Sequence, residues 1–127
     1  MHRGLGIERL LEHLDLSEQQ LSEIDALMQA YRPEIEHQLE LMKSARELLQ
    51  AQVHADLFDE SAIREAATGV AAIEEELTVL RARTVQDIRP ILTPEQREEA
   101  QAMMESARAF RQTWGEHRRH RRPRSED

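Results

Sequence analysis

The sequence predicts an all-α protein: an elongated antiparallel helical hairpin flanked by a shorter helix at each terminus, four helices per chain. Three observations carry this. Apolar residues recur at helical spacing through long stretches, and no run alternates as a half-buried strand would. A helix-start phrase occurs twice, as Leu16-Ser17-Glu18-Gln19-Gln20 and as Leu92-Thr93-Pro94-Glu95-Gln96. The composition, 39% hydrophobic, 33% charged and only 3% aromatic, suits long helices with narrow apolar seams rather than a thick core. A chain of 127 residues is one domain. With so thin an interior it buries little surface alone, which predicts a homodimer.

The elements follow in order. Leu5 to Leu14 reads as a short helix with Leu10, Leu11 and Leu14 apolar. Ser17 is then placed to cap the long second helix. Its hydroxyl can accept from the backbone N–H three residues on, while Gln20 reaches back to the N–H of the cap, the reciprocal arrangement of a capping box. Leu16 before the cap and Leu21 at the fourth helical position add a hydrophobic staple. From Ser17 to about Ala55 the seam repeats every seven residues. One row is Leu21, Met28, Ile35, Met42 and Leu49, and the other is Ile24, Tyr31, Gln38, Ala45 and Gln52. Leu27, Leu41 and Leu48 widen the stripe, as expected for a helix with more than one neighbour. Pro33 lies inside the pattern and predicts a kink near Leu27 to Pro33.

Asp56 to Glu60 is the turn, with Asp59 or Ser61 capping a third helix that runs to about Arg89. Its seam is Ile63, Val70, Leu77 and Thr84 interleaved with Ala66, Ile73 and Leu80, and its first half is thin, with Ala66, Ala67, Gly69, Ala71 and Ala72. Pro90 ends it. Thr93 caps the last helix, with Pro94 at the first helical position and Gln96 at the third; Arg97 stands where a staple would place an apolar residue. That helix is expected to reach about Trp114, with Ala100, Met103, Met104, Ala107 and Phe110 inward, and to close at Gly115. The helical domain is therefore placed at 1–116, and the Arg- and His-rich segment 117–127 is expected to be a disordered tail.

Composition narrows the function. Cysteine is absent, so there is no disulfide, thiolate nucleophile or thiolate metal site. No run approaches the roughly 18 apolar residues of a membrane span, and Met1-His2-Arg3-Gly4 leads directly into an amphipathic pattern. Net charge is −8; from His117 onward the chain carries +3, leaving −11 on the preceding 116 residues. So acidic a body argues against nucleic acid as a partner. Four scattered glycines make no phosphate loop, no Ser-His-Asp order stands out, and runs such as Glu74-Glu75-Glu76 and Glu98-Glu99 read as a solvated face. The expectation is a non-enzyme.

A Leu-Thr-x-x-Gln phrase used twice in a small helical chain resembles the Spy/CpxP family of bacterial periplasmic proteins, which has zinc-associated and nickel/cobalt-sensing relatives. The resemblance rests on Leu16, Ser17 and Gln20 in the first copy and Leu92, Thr93 and Gln96 in the second. It extends through Leu11-Glu12-His13-Leu14-Asp15, Leu57-Phe58-Asp59 and Ile91, and covers about Leu5 to Trp114. It implies a curved, cradle-like dimer of two hairpins in the periplasm, with a leader or membrane anchor outside this sequence. It also implies an ATP-independent chaperone or stress-response role, binding unfolded clients on a concave face without a cofactor. Leu10, Leu14, Leu16, Met28 and Leu92 are the candidates for that face, with ordinary core or staple packing as the competing reading for each. The family's chaperones are described with a basic concave face, whereas this body is acidic with Lys43 as its single lysine, so basic or mainly apolar clients would fit better.

The alternative is a periplasmic metal-binding sensor or resistance protein for zinc, copper, nickel or cobalt. Its candidate ligands are His13, where sensing relatives place ligands, and His117 with His120, three apart and on one face if the last helix continues. The relatives use a pair four residues apart at the first site, and here the partner position is Arg9. His37 and His54 share no turn, and Met103-Met104 reads more naturally as packing. The resemblance also implies a third role, an adaptor for the sensory domain of a membrane kinase. The arginines of the tail point to solubilisation, an acidic partner or a membrane surface.

Overall fold

The computed structural model describes the backbone from Gly6 to His120 and the side chains from Gly6 to Thr113. Four α-helices and one 3-10 turn follow in order: α1 (Ile7–Glu12), α2 (Glu18–Val53), α3 (Glu60–Ile88), the turn Arg89–Ile91, and α4 (Pro94–His120). No strand occurs among the described residues.

Local chemistry explains the boundaries. Gly6 stands before α1 with φ of 83°, a left-handed conformation that costs glycine nothing. His13 closes α1 through its backbone N–H. Ser17 caps α2 with a complete capping box, and the helix then runs unbroken through Pro33 for 36 residues. Of the two candidate caps for α3, Asp59 is the one used: its carboxylate accepts from the Ala62 N–H at 3.1 Å. Pro90 sits within the 3-10 turn that ends α3, where a missing N–H does least harm.

The heptad rows read from sequence are the covered rows. Ile24, Ile35 and Met42 are buried on α2, with Met28, Tyr31, Gln38, Ala45, Leu49 and Gln52 half-buried between them. On α3, Ala66, Leu80 and Thr84 are buried and Ile63, Val70, Ile73 and Leu77 half-buried. Leu21 heads the first row but is exposed, and of the widening stripe only Leu27 is covered. Side-chain pairs bridge α2 and α3: the Tyr31 hydroxyl donates to Asp87, and Arg46 lies 3.9 Å from Glu74.

The core sits at one end. Ile7, Leu14, Ile24, Ile35, Leu80, Ile88, Leu92 and Ala100 form one buried cluster drawn from all four helices and the loops before α2 and α4. Leu80 and Thr84 are the most enclosed side chains, 1% and 0% exposed; the Thr84 hydroxyl donates to the Leu80 carbonyl at 2.7 Å. Away from this end the rods are thin. Leu41, Leu48, Val53, Leu57 and Phe58 stand in water, the last two 84% and 81% exposed.

α4 departs from expectation. Its inward row was to include Met104, Ala107 and Phe110, but only Ala100 and Met103 of that row are covered and every residue from Met104 to Thr113 is exposed. Nor does Gly115 close it, since the backbone stays helical to His120. One glycine costs a helix roughly 1 kcal/mol, too little to stop a run with favourable residues on both sides. Residues 121–127 of the expected tail lie outside the described residues.

Candidate functional site

The two capping phrases, more than seventy residues apart, meet in space. Each first builds its own box. The Gln20 N–H donates to Ser17 Oγ at 3.1 Å, and the Ser17 N–H returns a bond to Gln20 Oε1 at 2.9 Å. In the second copy the Gln96 N–H donates to Thr93 Oγ1 at 3.2 Å, and the Thr93 N–H to Gln96 Oε1 at 2.9 Å.

The two boxes then lock into one another. Gln20 Nε2 donates to Gln96 Oε1 at 2.7 Å, and Gln96 Nε2 donates to Gln20 Oε1 at 3.3 Å. Each amide spends its remaining N–H on a backbone carbonyl two residues before the other copy's cap. Gln20 reaches the Ile91 carbonyl at 2.9 Å and Gln96 the Asp15 carbonyl at 2.7 Å. Every donor and acceptor of both amides is therefore engaged, two in and two out. The network also fixes which way each amide faces, because a rotated NH2 would point at the cap's own N–H.

The leucines of the phrases anchor the lock. Leu92 is buried and Leu16 packs half-buried against the same cluster. Arg97, at the staple position of the second copy, supplies hydrogen bonds instead: its Nε and Nη2 lie 3.3 and 3.1 Å from the Leu92 carbonyl. Sequence reasoning found both boxes but not their meeting. The available signal was a long polar side chain repeated beside a buried leucine, at the one helical position from which it can reach past its own cap.

The sequence model of the LTXXQ motif family matches residues 2–104, a span that contains both copies. The chain belongs to the LTXXQ motif family. No curated protein and no solved structure matches it. In this member the six motif residues, Leu16, Ser17, Gln20, Leu92, Thr93 and Gln96, are joined in a structural lock, and none presents a reactive group.

The other candidates are placed as follows. Leu14 and Leu92 are only 6% and 7% exposed, and Leu10, Leu16 and Met28 are half-buried against the same core. The exposed large apolar side chains among the described residues are Leu21, Leu41, Leu48, Val53, Leu57, Phe58, Val79, Met104 and Phe110, none of which was a sequence candidate for the client-binding face. His13 is exposed at the end of α1. Among the described residues no three of His, Asp and Glu converge to hold a metal ion. The side chains of His117 and His120 lie outside the described ones. No described helix is long and apolar enough to cross a membrane.

Proposed function

We propose that this LTXXQ-family chain is a periplasmic, ATP-independent binder of unfolded proteins, acting without a cofactor and without catalysis. In this reading two chains pair as elongated antiparallel hairpins to form a cradle. The observation that carries the reading is the set of large apolar side chains left in water among charges on the rods and turn: Leu41, Leu48, Val53, Leu57 and Phe58. Isolated apolar spots in a charged setting hold an unfolded segment weakly enough for it to fold while attached. Leu10, Leu16 and Met28 keep part of their surface in water and can add to that face. Leu14 and Leu92 would contribute only by holding the base rigid.

Two further facts support the arrangement. The bridges Tyr31 to Asp87 and Arg46 to Glu74 pair rising positions on α2 with falling positions on α3, as an antiparallel hairpin requires. The accessible surface is 10632 Å², against roughly 7,000 Å² for a compact monomer of this mass, as an elongated rather than a compact chain exposes. The acidic body selects basic or mainly apolar clients.

The test is light scattering of a chemically unfolded client diluted into buffer with this protein at about stoichiometric dimer. Suppression of aggregation is expected, and a Leu57→Ser, Phe58→Ser variant should suppress less while keeping its helix content. No suppression by the parent chain sinks the proposal.

A further inference from the structure

Charge in this chain is polarised along its length. Residues 1–105 hold 22 acidic side chains against ten basic ones, whereas residues 106–124 hold seven arginines against Glu116 alone. α4 includes the first part of that stretch, as far as His120, beyond its covered residues Ala100 and Met103. Its apolar row, Ala100, Met103, Ala107, Phe110 and Trp114, keeps the three- and four-residue spacing of a single helical stripe. Met103 is half-buried, the residues from Met104 to Thr113 are exposed, and Phe110 is 62% exposed. Because the helix does not close at Gly115, the register continues to His120. Arg111 borders the row and Arg108 lies farther round the same flank; the position of Arg118 falls two turns after Arg111 and that of Arg119 three turns after Arg108.

We infer that the second half of α4 is an interfacial arm that lies on an anionic phospholipid surface. Its make-up is that of a helix which rests in a headgroup plane: arginines on the polar side, aromatic residues on the apolar side, low overall hydrophobicity. Aromatic rings favour the level of the headgroups, and each arginine near an anionic leaflet adds attraction that salt screens. Charge decides the occupant. An extended polyanion such as nucleic acid would run from the arm onto the acidic body and be repelled there. A headgroup plane requires contact with the arm alone, so the acidic body need not meet it. The inference is independent of client binding, which is assayed without lipid.

The full chain contains one tryptophan, Trp114, so its fluorescence reports on the arm directly. The probe is a vesicle of phosphatidylcholine with phosphatidylglycerol, compared with pure phosphatidylcholine. A blue shift and co-sedimentation are expected with the anionic vesicles only, and both should fade as salt rises from about 0.05 M to about 0.5 M. An Arg108→Glu, Arg111→Glu variant should bind roughly tenfold more weakly or worse, and Phe110→Ser should lose the shift while keeping its circular dichroism. The inference is overturned by an absent shift with anionic vesicles at low salt. It is overturned equally by binding that neither variant alters, or by a Trp114 already blue-shifted without lipid at concentrations where the chain self-associates.

Discussion

Gln20 and Gln96 hold one another's side-chain amides, at 2.7 Å in one direction and 3.3 Å in the other, while each also closes the cap of its own helix. The start of α2 and the start of α4 are therefore one hydrogen-bonded object. Removing either glutamine frees a cap N–H on its own helix and strips the opposite amide of two partners.

Gln20→Ala and Gln96→Ala should each cost about 2–3 kcal/mol, since each leaves half-buried polar groups unmatched. The double variant should cost less than the sum by about 1–2 kcal/mol, because the second truncation removes groups the first had already orphaned. Urea unfolding of all four chains measures this; strict additivity would mean the two amides do not communicate.

Gln20→Glu should make stability depend on pH in the direction opposite to most carboxylates. An ionised Glu there accepts from the Ser17 N–H but offers nothing to the Ile91 carbonyl or to Gln96 Oε1. The protonated acid regains one donor, so the fold raises the pKa of the introduced carboxyl. The variant is then most stable below the ordinary glutamate range of about 4.3 and loses stability as pH rises through the raised folded value. Unfolding midpoints across that window, compared with the parent chain, decide it.

Tyr31 titrates above its usual value of 10.0, first because its hydroxyl donates to Asp87 and then through desolvation and the Asp87 charge, with Arg83 opposing. The protonated phenol is the form the fold prefers. The stability it contributes is complete below the unfolded value and disappears as pH climbs through the raised one. The chain has a single tyrosine, so phenolate absorbance should show a higher midpoint in the native protein than in urea. Asp87→Asn should bring the native midpoint down towards the unfolded one.

Position along the rods should set the cost of truncation. Leu80→Ala, in the core and 1% exposed, should lose about 3–4 kcal/mol. Leu48→Ala and Phe58→Ser, both exposed, should stay within about 0.5 kcal/mol in dilute, lipid-free protein. A large loss at Leu48 that grows with protein concentration would locate the chain–chain contact there.

Much of this architecture could be read from sequence because it is periodic or local. The rows through Ile24, Ile35, Met42, Leu80 and Thr84 follow from helical spacing, and the two boxes from residues three apart. What escaped depends on how far the elements reach one another. Burial was expected of Met104, Ala107 and Phe110 from their spacing alone, but enclosing a seam takes a packed helix alongside its whole length, and α1 spans just six residues. In the same way Leu14 and Leu92 were candidates for a contact face, with core or staple packing as the competing reading. Only the convergence of α1, the loop before α2 and the 3-10 turn settles that they are enclosed.

Placing the enclosed core cluster and the glutamine lock at one pole also separates the length of the rods from the integrity of the molecule. Adding or deleting seven residues in α2 and a matching seven in α3, beyond Met42 and before Val70, would shift the facing rows by only about 20° and leave the locked base untouched. The span is thus an adjustable ruler, and a gauge for what it measures can be made by lengthening it step by step.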